Sequence, residues 1–230
     1  MSPAAPRSGK GGRESFAERA YRELKRRILD NRLTVGTQYM EQEVAELLSM
    51  SRTPTREALI RLANEGLVEI RPRHGMRIKP ISLRDMREIY EVITALEASA
   101  AALAARDGLA ADQIDALRRA VADMDRALQD DDLESWAEAD ERFHRLLVEY
   151  SDNERLIALV RTFVDQSHRV RMLTLRLRPK PSTSNQDHRA VIEAIAGGDA
   201  DAARRLHRTH REKSGRMLIE LLRTQGLTQL

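Results

Sequence analysis

"MSRTPTREALIRLANEGLVEIRPRHGMRI", residues 50–78, changes character twice within one stretch. Its opening crowds Arg52, Thr53, Thr55 and Arg56 into what reads as the first turns of a helix, more polar reach than folding needs. From Leu59 the pattern becomes amphipathic, with Leu59, Leu62 and Ala63 on one face, and Gly66 is a natural stop. Ser51 or Thr53 can cap this helix, and Pro54 is tolerated in its first turn, where a missing N–H has no intrahelical partner to lose. Two short extended runs follow, from Leu67 to Ile70 and from Met76 to Lys79. They flank Arg71-Pro72-Arg73-His74-Gly75, which predicts a β-hairpin with a basic tip.

Upstream, Ala17, Tyr21, Leu24 and Ile28 recur at helical spacing and predict a helix that stops near Asp30 and Asn31, before Gly36. A second short helix, Glu41 to Leu48, presents Val44, Ala45, Leu47 and Leu48. Three helices and a basic hairpin make a winged helix-turn-helix over residues 15–80, behind a basic, small-residue tail at 1–14.

Downstream of Ser82 there is no further strand signal. Six helical segments are expected at about 82–106, 110–129, 133–150, 153–178, 184–196 and 199–223, with Ser82 and Asp85 reading as a capping box. Stripes such as Ile89, Val92, Leu96, Leu103 and Ile114, Leu117, Val121, Met124 would bury against one another. The fold class is mainly α: an N-terminal winged helix-turn-helix followed by an all-helical bundle of about six helices, residues 82–225.

Composition narrows the chemistry. The 230 residues are 41% apolar and 33% charged with 3% aromatic, which suits a globular helical protein. No apolar run approaches the roughly 18 residues of a membrane span and the start has no hydrophobic signal region, so a cytoplasmic protein without membrane contact is expected. With no cysteine, any metal must be held by His, Asp or Glu. The net charge of +3 is uneven: residues 1–80 carry 16 Lys and Arg against 10 Asp and Glu, so the remainder is acidic by three charges. A basic head on an acidic body fits a nucleic-acid reader joined to a differently employed domain.

The major groove of DNA admits a helix, and the side chains at that helix's N-terminal end meet the base edges. Arg52, Thr53, Thr55 and Arg56 occupy that end, and His74 with Gly75 would let the wing approach the backbone or minor groove. The stretch "ERAYRELKRRILDNRLTVGTQYMEQEVAELLSMSRTPTREALIRLANEGLVEIRPRHGMRI" resembles the DNA-binding domain of the GntR family of bacterial transcription regulators, most distinctively in "SRTPTREALIRLANEGLV". The resemblance implies that Arg52, Thr53, Arg56, His74 and Gly75 contact operator DNA. Val35, Tyr39 and Thr55 depart from the residues the family favours, proline, leucine and valine, and Thr55 could alter base preference.

A second constellation lies in the helical region. "ADERFHRLL" places Asp140 and His144 four residues apart on a face shared with Trp136, Phe143 and Leu147. An ionised carboxylate there is costly unless paired or bound to a cation. His188 falls in a stripe with Val191, Ile192 and Ile195, and His210 lies between Leu206 and Met217. These four groups, on three helices, can converge on a metal or be hydrogen-bonded core residues. "DERFHRLL" and "DHRAVIEAIAGGDADAARRLHRTH" resemble the helical effector-binding domain of the FadR-like branch of the family, the FCD type. The resemblance implies a ligand set of Asp140, His144, His188 and His210. Three imidazoles and a carboxylate suit a divalent ion such as Zn or Ni and leave a position open for a carboxylic acid. Asp187 is expected to face outward or support His188, His207 is a substitute ligand, His168 stands outside the site, and Arg171 could clamp the far end of an acidic effector.

The combined expectation is a homodimeric, metabolite-responsive repressor that reads a pseudopalindromic stretch of double-stranded DNA. Its competitors are a helical-bundle metalloenzyme and a DNA-binding protein with a purely structural metal.

Overall fold

A computed structural model describes residues 14–72 and 74–227; residues 1–13 of the expected tail, Arg73 in the wing and residues 228–230 lie outside the described part. The chain falls into two compact units that part between Lys79 and Pro80.

In the first unit α1 (Phe16–Leu29) begins at Ser15, whose hydroxyl accepts from the Glu18 N–H at 3.1 Å, and buries Ala20, Tyr21, Leu24 and Ile28. Strand β1 (Gln38–Tyr39) leads into α2 (Glu41–Leu48), and Ser49, at φ 52°, turns the chain toward α3 (Arg52–Asn64). The hairpin follows as β2 (Val68–Arg71) and β3 (Gly75–Ile78), antiparallel, with Arg71 opposite Gly75 and Val68 opposite Ile78. The short β1 pairs with the free edge of β3 and completes a three-stranded sheet in the order β1-β3-β2. Two residues carry too little alternation for that strand to be read from sequence. Gly75, at φ +78°, makes the sheet possible: a Cβ there would run into the Tyr39 carbonyl oxygen. The core joins Leu24, Ile28, Val44, Leu59, Leu62, Met76 and Ile78.

The second unit is helical among its described residues. It runs α4 (Leu83–Asp107), α5 (Ala111–Gln129), α6 (Leu133–Glu149), α7 (Glu154–Leu173), a 3-10 turn at Leu175–Leu177, α8 (Ser182–Ala196) and α9 (Ala200–Thr224). Ser82 and Asp85 form the expected capping box, and Asp132, Asn153 and Asp199 cap α6, α7 and α9 with their side chains. The main core gathers Leu117, Met124, Phe143, Leu147 and Ile192 from α5, α6 and α8. α4 lies along α9 at close range, since a Cβ on Gly215 would come within 2.9 Å of the Tyr90 ring. No helix of the described residues is long and apolar enough to cross a membrane.

Two expectations require correction. The stripe on α4 does not hold throughout: Ile89 is buried, but Val92 is 36% exposed and Leu96 and Leu103 are only partly covered, against Val148, Leu156 and Val160. The helix expected to reach Arg178 stops at Leu173. There the Thr174 hydroxyl donates to the Val170 carbonyl at 2.7 Å, and Pro179 and Pro181 prevent continuation, so the chain crosses to α8 through an irregular connector.

Candidate functional sites: a basic reading helix and a buried histidine centre

Helix α3 presents Arg52, Thr53 and Arg56 as exposed side chains at its N-terminal end. Arg52 Nε donates to Gln42 Oε1 at 2.8 Å, so α2 steadies the guanidinium. Thr55 corrects the sequence reading: it is fully buried and its hydroxyl donates to the Ser51 carbonyl at 3.0 Å, so it faces the core rather than a base. At the wing His74 is exposed and its carbonyl accepts from Gln38 Nε2 at 2.7 Å. Gly75 belongs to strand β3, where its φ of +78° lets the chain pass close to Tyr39.

In the helical unit the structure brings the four sequence-chosen residues together. Asp140 and His144 come from α6, His188 from α8 and His210 from α9, and all four are buried. His188 Nε2 lies 3.3 Å from His144 Nε2 and 3.1 Å from His210 Nε2. Asp140 Oδ1 is 3.6 Å from the His144 Nε2 and 3.7 Å from the His188 Nε2.

The outer nitrogens explain the orientation of the rings. His144 Nδ1 sits 3.1 Å from Glu97 Oε2, a distance of attraction without the angle of a hydrogen bond, and His210 Nδ1 lies 3.6 Å from Asp187 Oδ2. A carboxylate beside each of these two Nδ1 atoms favours the proton there and turns the Nε2 lone pairs of His144 and His210 inward, whereas the buried Nδ1 of His188 has no hydrogen-bond partner among the described residues. The inward lone pairs of His144 and His210, 3.3 and 3.1 Å from His188 Nε2 in a dry interior, call for a proton or cation among them. The donor set therefore fits a divalent ion.

Burial dominates the ionisation of the centre. It pushes His188 well below its ordinary value, with His210 and His144 adding to the effect. It lowers His210 against the opposing pull of Asp187. Burial would raise Asp140, but His144, His188 and Arg171 outweigh it and hold the carboxyl well below its usual range. Neutral His188 and His210 beside an ionised Asp140 are the protonation states that ligate metal.

Sequence reasoning missed Glu97. It is fully buried on α4, binds Arg211 through both oxygens at 2.6 and 2.7 Å, and accepts from His207 Nε2 at 2.8 Å. Burial opposes its ionisation, yet Arg211 and His144 hold it well below its usual range. The signal was there, a lone acid in the stripe of Ile93, Ala100, Ala101 and Ala104. His207 is thereby committed to Glu97; burial pushes it down to about 3. Glu97, His144 and His207 also lie close enough to form a metal-binding group, but the bidentate Arg211 already neutralises the carboxylate. Asp187 attends His210 and Lys213 rather than His188. His168 faces Glu141, outside the centre. Arg171 does not extend freely, since its Nη2 meets Asp140 Oδ2 at 3.2 Å. A cavity of about 250 Å³ reaches Asp140, His144 and His210 and is lined in addition by Arg171 and Arg178.

The comparisons with known proteins agree with this division. Residues 16–78 match the model for bacterial regulatory proteins of the gntR family, and residues 88–213 match the FCD domain. The chain is 46% identical over 131 residues to an HTH-type transcriptional regulator of Agrobacterium vitis, covering 56% of this chain and 77% of that one. It is 28% identical over 193 residues, 84% of either chain, to the HTH-type transcriptional repressor RspR of Escherichia coli strain K12. In fold it is similar to E. coli McbR/YncC, with a TM-score of 0.77 at 19% identity over 90% of this chain and 99% of that one. These relatives are regulators, which removes the metalloenzyme alternative. The chain belongs to the GntR family of bacterial transcription regulators, in the branch whose helical effector-binding domain is of the FCD type.

Proposed function

We propose that this regulator is a homodimeric repressor whose helical unit senses a small carboxylic acid at a metal held by Asp140, His144, His188 and His210. The observation that carries the reading is the convergence of three buried Nε2 atoms, each within 3.3 Å of another, beneath a cavity wide enough for a small molecule. A Zn or Ni ion bound there would supply an electrophilic position to which a carboxylate can bind. The chain's own part is to hold the ligand nitrogens inward through Glu97 and Asp187 and to exclude bulk water by burial.

In the first unit Arg52, Thr53 and Arg56 are assigned to operator contacts from α3, with His74 and the Gly75 turn at the wing. Two copies related by a two-fold axis would read a pseudopalindrome. Effector binding shifts DNA affinity only by the difference in effector affinity between DNA-competent and DNA-released states. The repressor name of the RspR relative supports release, rather than recruitment, as the outcome.

The test is a titration of operator DNA by metal-loaded protein with and without carboxylic acids. Weaker operator binding in the presence of an acid is expected, and insensitivity to every acid and to metal removal would reduce the centre to a structural device. In the same assay Arg52→Ala and Arg56→Ala should each cost about 1–3 kcal/mol on operator DNA. Equal affinity of parent and variants would remove those residues from the interface.

A further inference from the structure

Five cations line the cavity over the histidine centre: Arg171, Arg178, Lys180, Arg211 and Lys213. Four of them already have a carboxylate. Arg171 meets Asp140 at 3.2 Å, Arg211 meets Glu97 at 2.6 Å, Lys213 meets Asp187 at 3.3 Å, and Lys180 is paired with Asp131. Arg178 differs. Its Nη2 donates to the Arg171 carbonyl at 3.0 Å and to Thr174 Oγ1 at 2.8 Å, which ties the guanidinium to the end of α7. Its Nε is buried without an acceptor, and among the described residues no carboxylate pairs with it. Burial, with Arg171 adding to it, pulls its pKa below the ordinary arginine value against the opposing pull of Tyr90 and Asp140.

Arg178 is partly buried, and a guanidinium partly withdrawn from water without a carboxylate is costly until an anion completes it. The other four cations cancel their carboxylates, so Arg178 and a bound divalent ion would leave the cavity net positive at two separate centres. A monocarboxylate answers one of them. The cavity, about 250 Å³ against the roughly 150 Å³ that admits benzene, has room for a short acid carrying two charged ends. We propose that Arg178 is a second anionic subsite, so that the effector is a small dicarboxylate held by the metal at one end and by Arg178 at the other. The proposal rests on the metal-centred reading above.

The experiment compares matched acids on metal-loaded full-length protein by calorimetry: malonate, succinate and glutarate against propionate, butyrate and valerate, with metal content measured on every sample. At least one diacid should bind about tenfold or more tightly than its monoacid partner, the scale of hydrogen bonds to a charged group. Arg178→Gln should abolish that preference while keeping one metal and the monoacid affinity of the parent, and Arg178→Lys should restore part of it. Metal-loaded parent that binds no diacid better than its partner overturns the subsite, as does a preference that survives in Arg178→Gln. Parent that takes up no metal overturns the underlying reading instead, and the metal measurement identifies that failure separately.

Discussion

Glu97 on α4 ties together side chains from α6 and α9 inside the helical unit. It neutralises Arg211, accepts from His207 and stands beside the outer nitrogen of His144, all out of contact with water. Removing one member of a buried ion pair leaves the other uncompensated, at about 3–5 kcal/mol. Glu97→Ala is accordingly expected to lower unfolding stability by that amount in urea titrations, and a loss under about 1 kcal/mol would show that Arg211 finds water or another acceptor. The four proposed ligands were legible because His and Asp at apolar positions are conspicuous. Glu97 was equally out of place, but its partners lie more than 100 positions away on α9, where no local pattern connects them. Thr55 failed for the opposite reason. Its neighbours Arg52, Thr53 and Arg56 face solvent, and only the turn of the helix separates its inward position from theirs.

At the scale of elements, capping and breaking residues located most helices, because Ser82, Asn153 and Asp199 act through bonds to residues close by in sequence. The ends of α7 and α8 were harder. Thr174 closes α7 by bonding back to Val170, and the resulting connector delivers Arg178 to the cavity, where a continued helix would not. The wing depends on one backbone position. Gly75 combines φ +78° with direct packing against β1, so Gly75→Ala should destabilise the first unit by about 1–3 kcal/mol and separate β1 from β3. Circular dichroism melts and operator titrations check this together. An unchanged melt would mean that the hairpin relaxes around the methyl group.

For the molecule as a whole, the buried histidines predict acid sensitivity with a definite sign. Burial lowers His188 and His210, and pushes His207 from 6.5 to about 3. The unfolded chain therefore takes up these protons first, and stability falls as pH drops from about 6.5 toward 3. Asp140 and Glu97, lowered in the folded state, act in the same direction: their contribution is present above the ordinary carboxylate values of 3.8 and 4.5 and is lost as pH falls below them. The melting temperature of chelator-treated protein should fall steadily from pH 7 to pH 5. A flat profile would mean that the imidazoles are accessible to protons in the folded protein.

The most direct test of the account is the metal content of purified, untagged protein beside a His188→Ala, His210→Ala double variant, both loaded and then dialysed. The account predicts one divalent ion per chain in the parent and essentially none in the variant, with helix content retained in both. Equal metal content, or none in either, would contradict it and leave the four residues as hydrogen-bonded core groups of the helical unit.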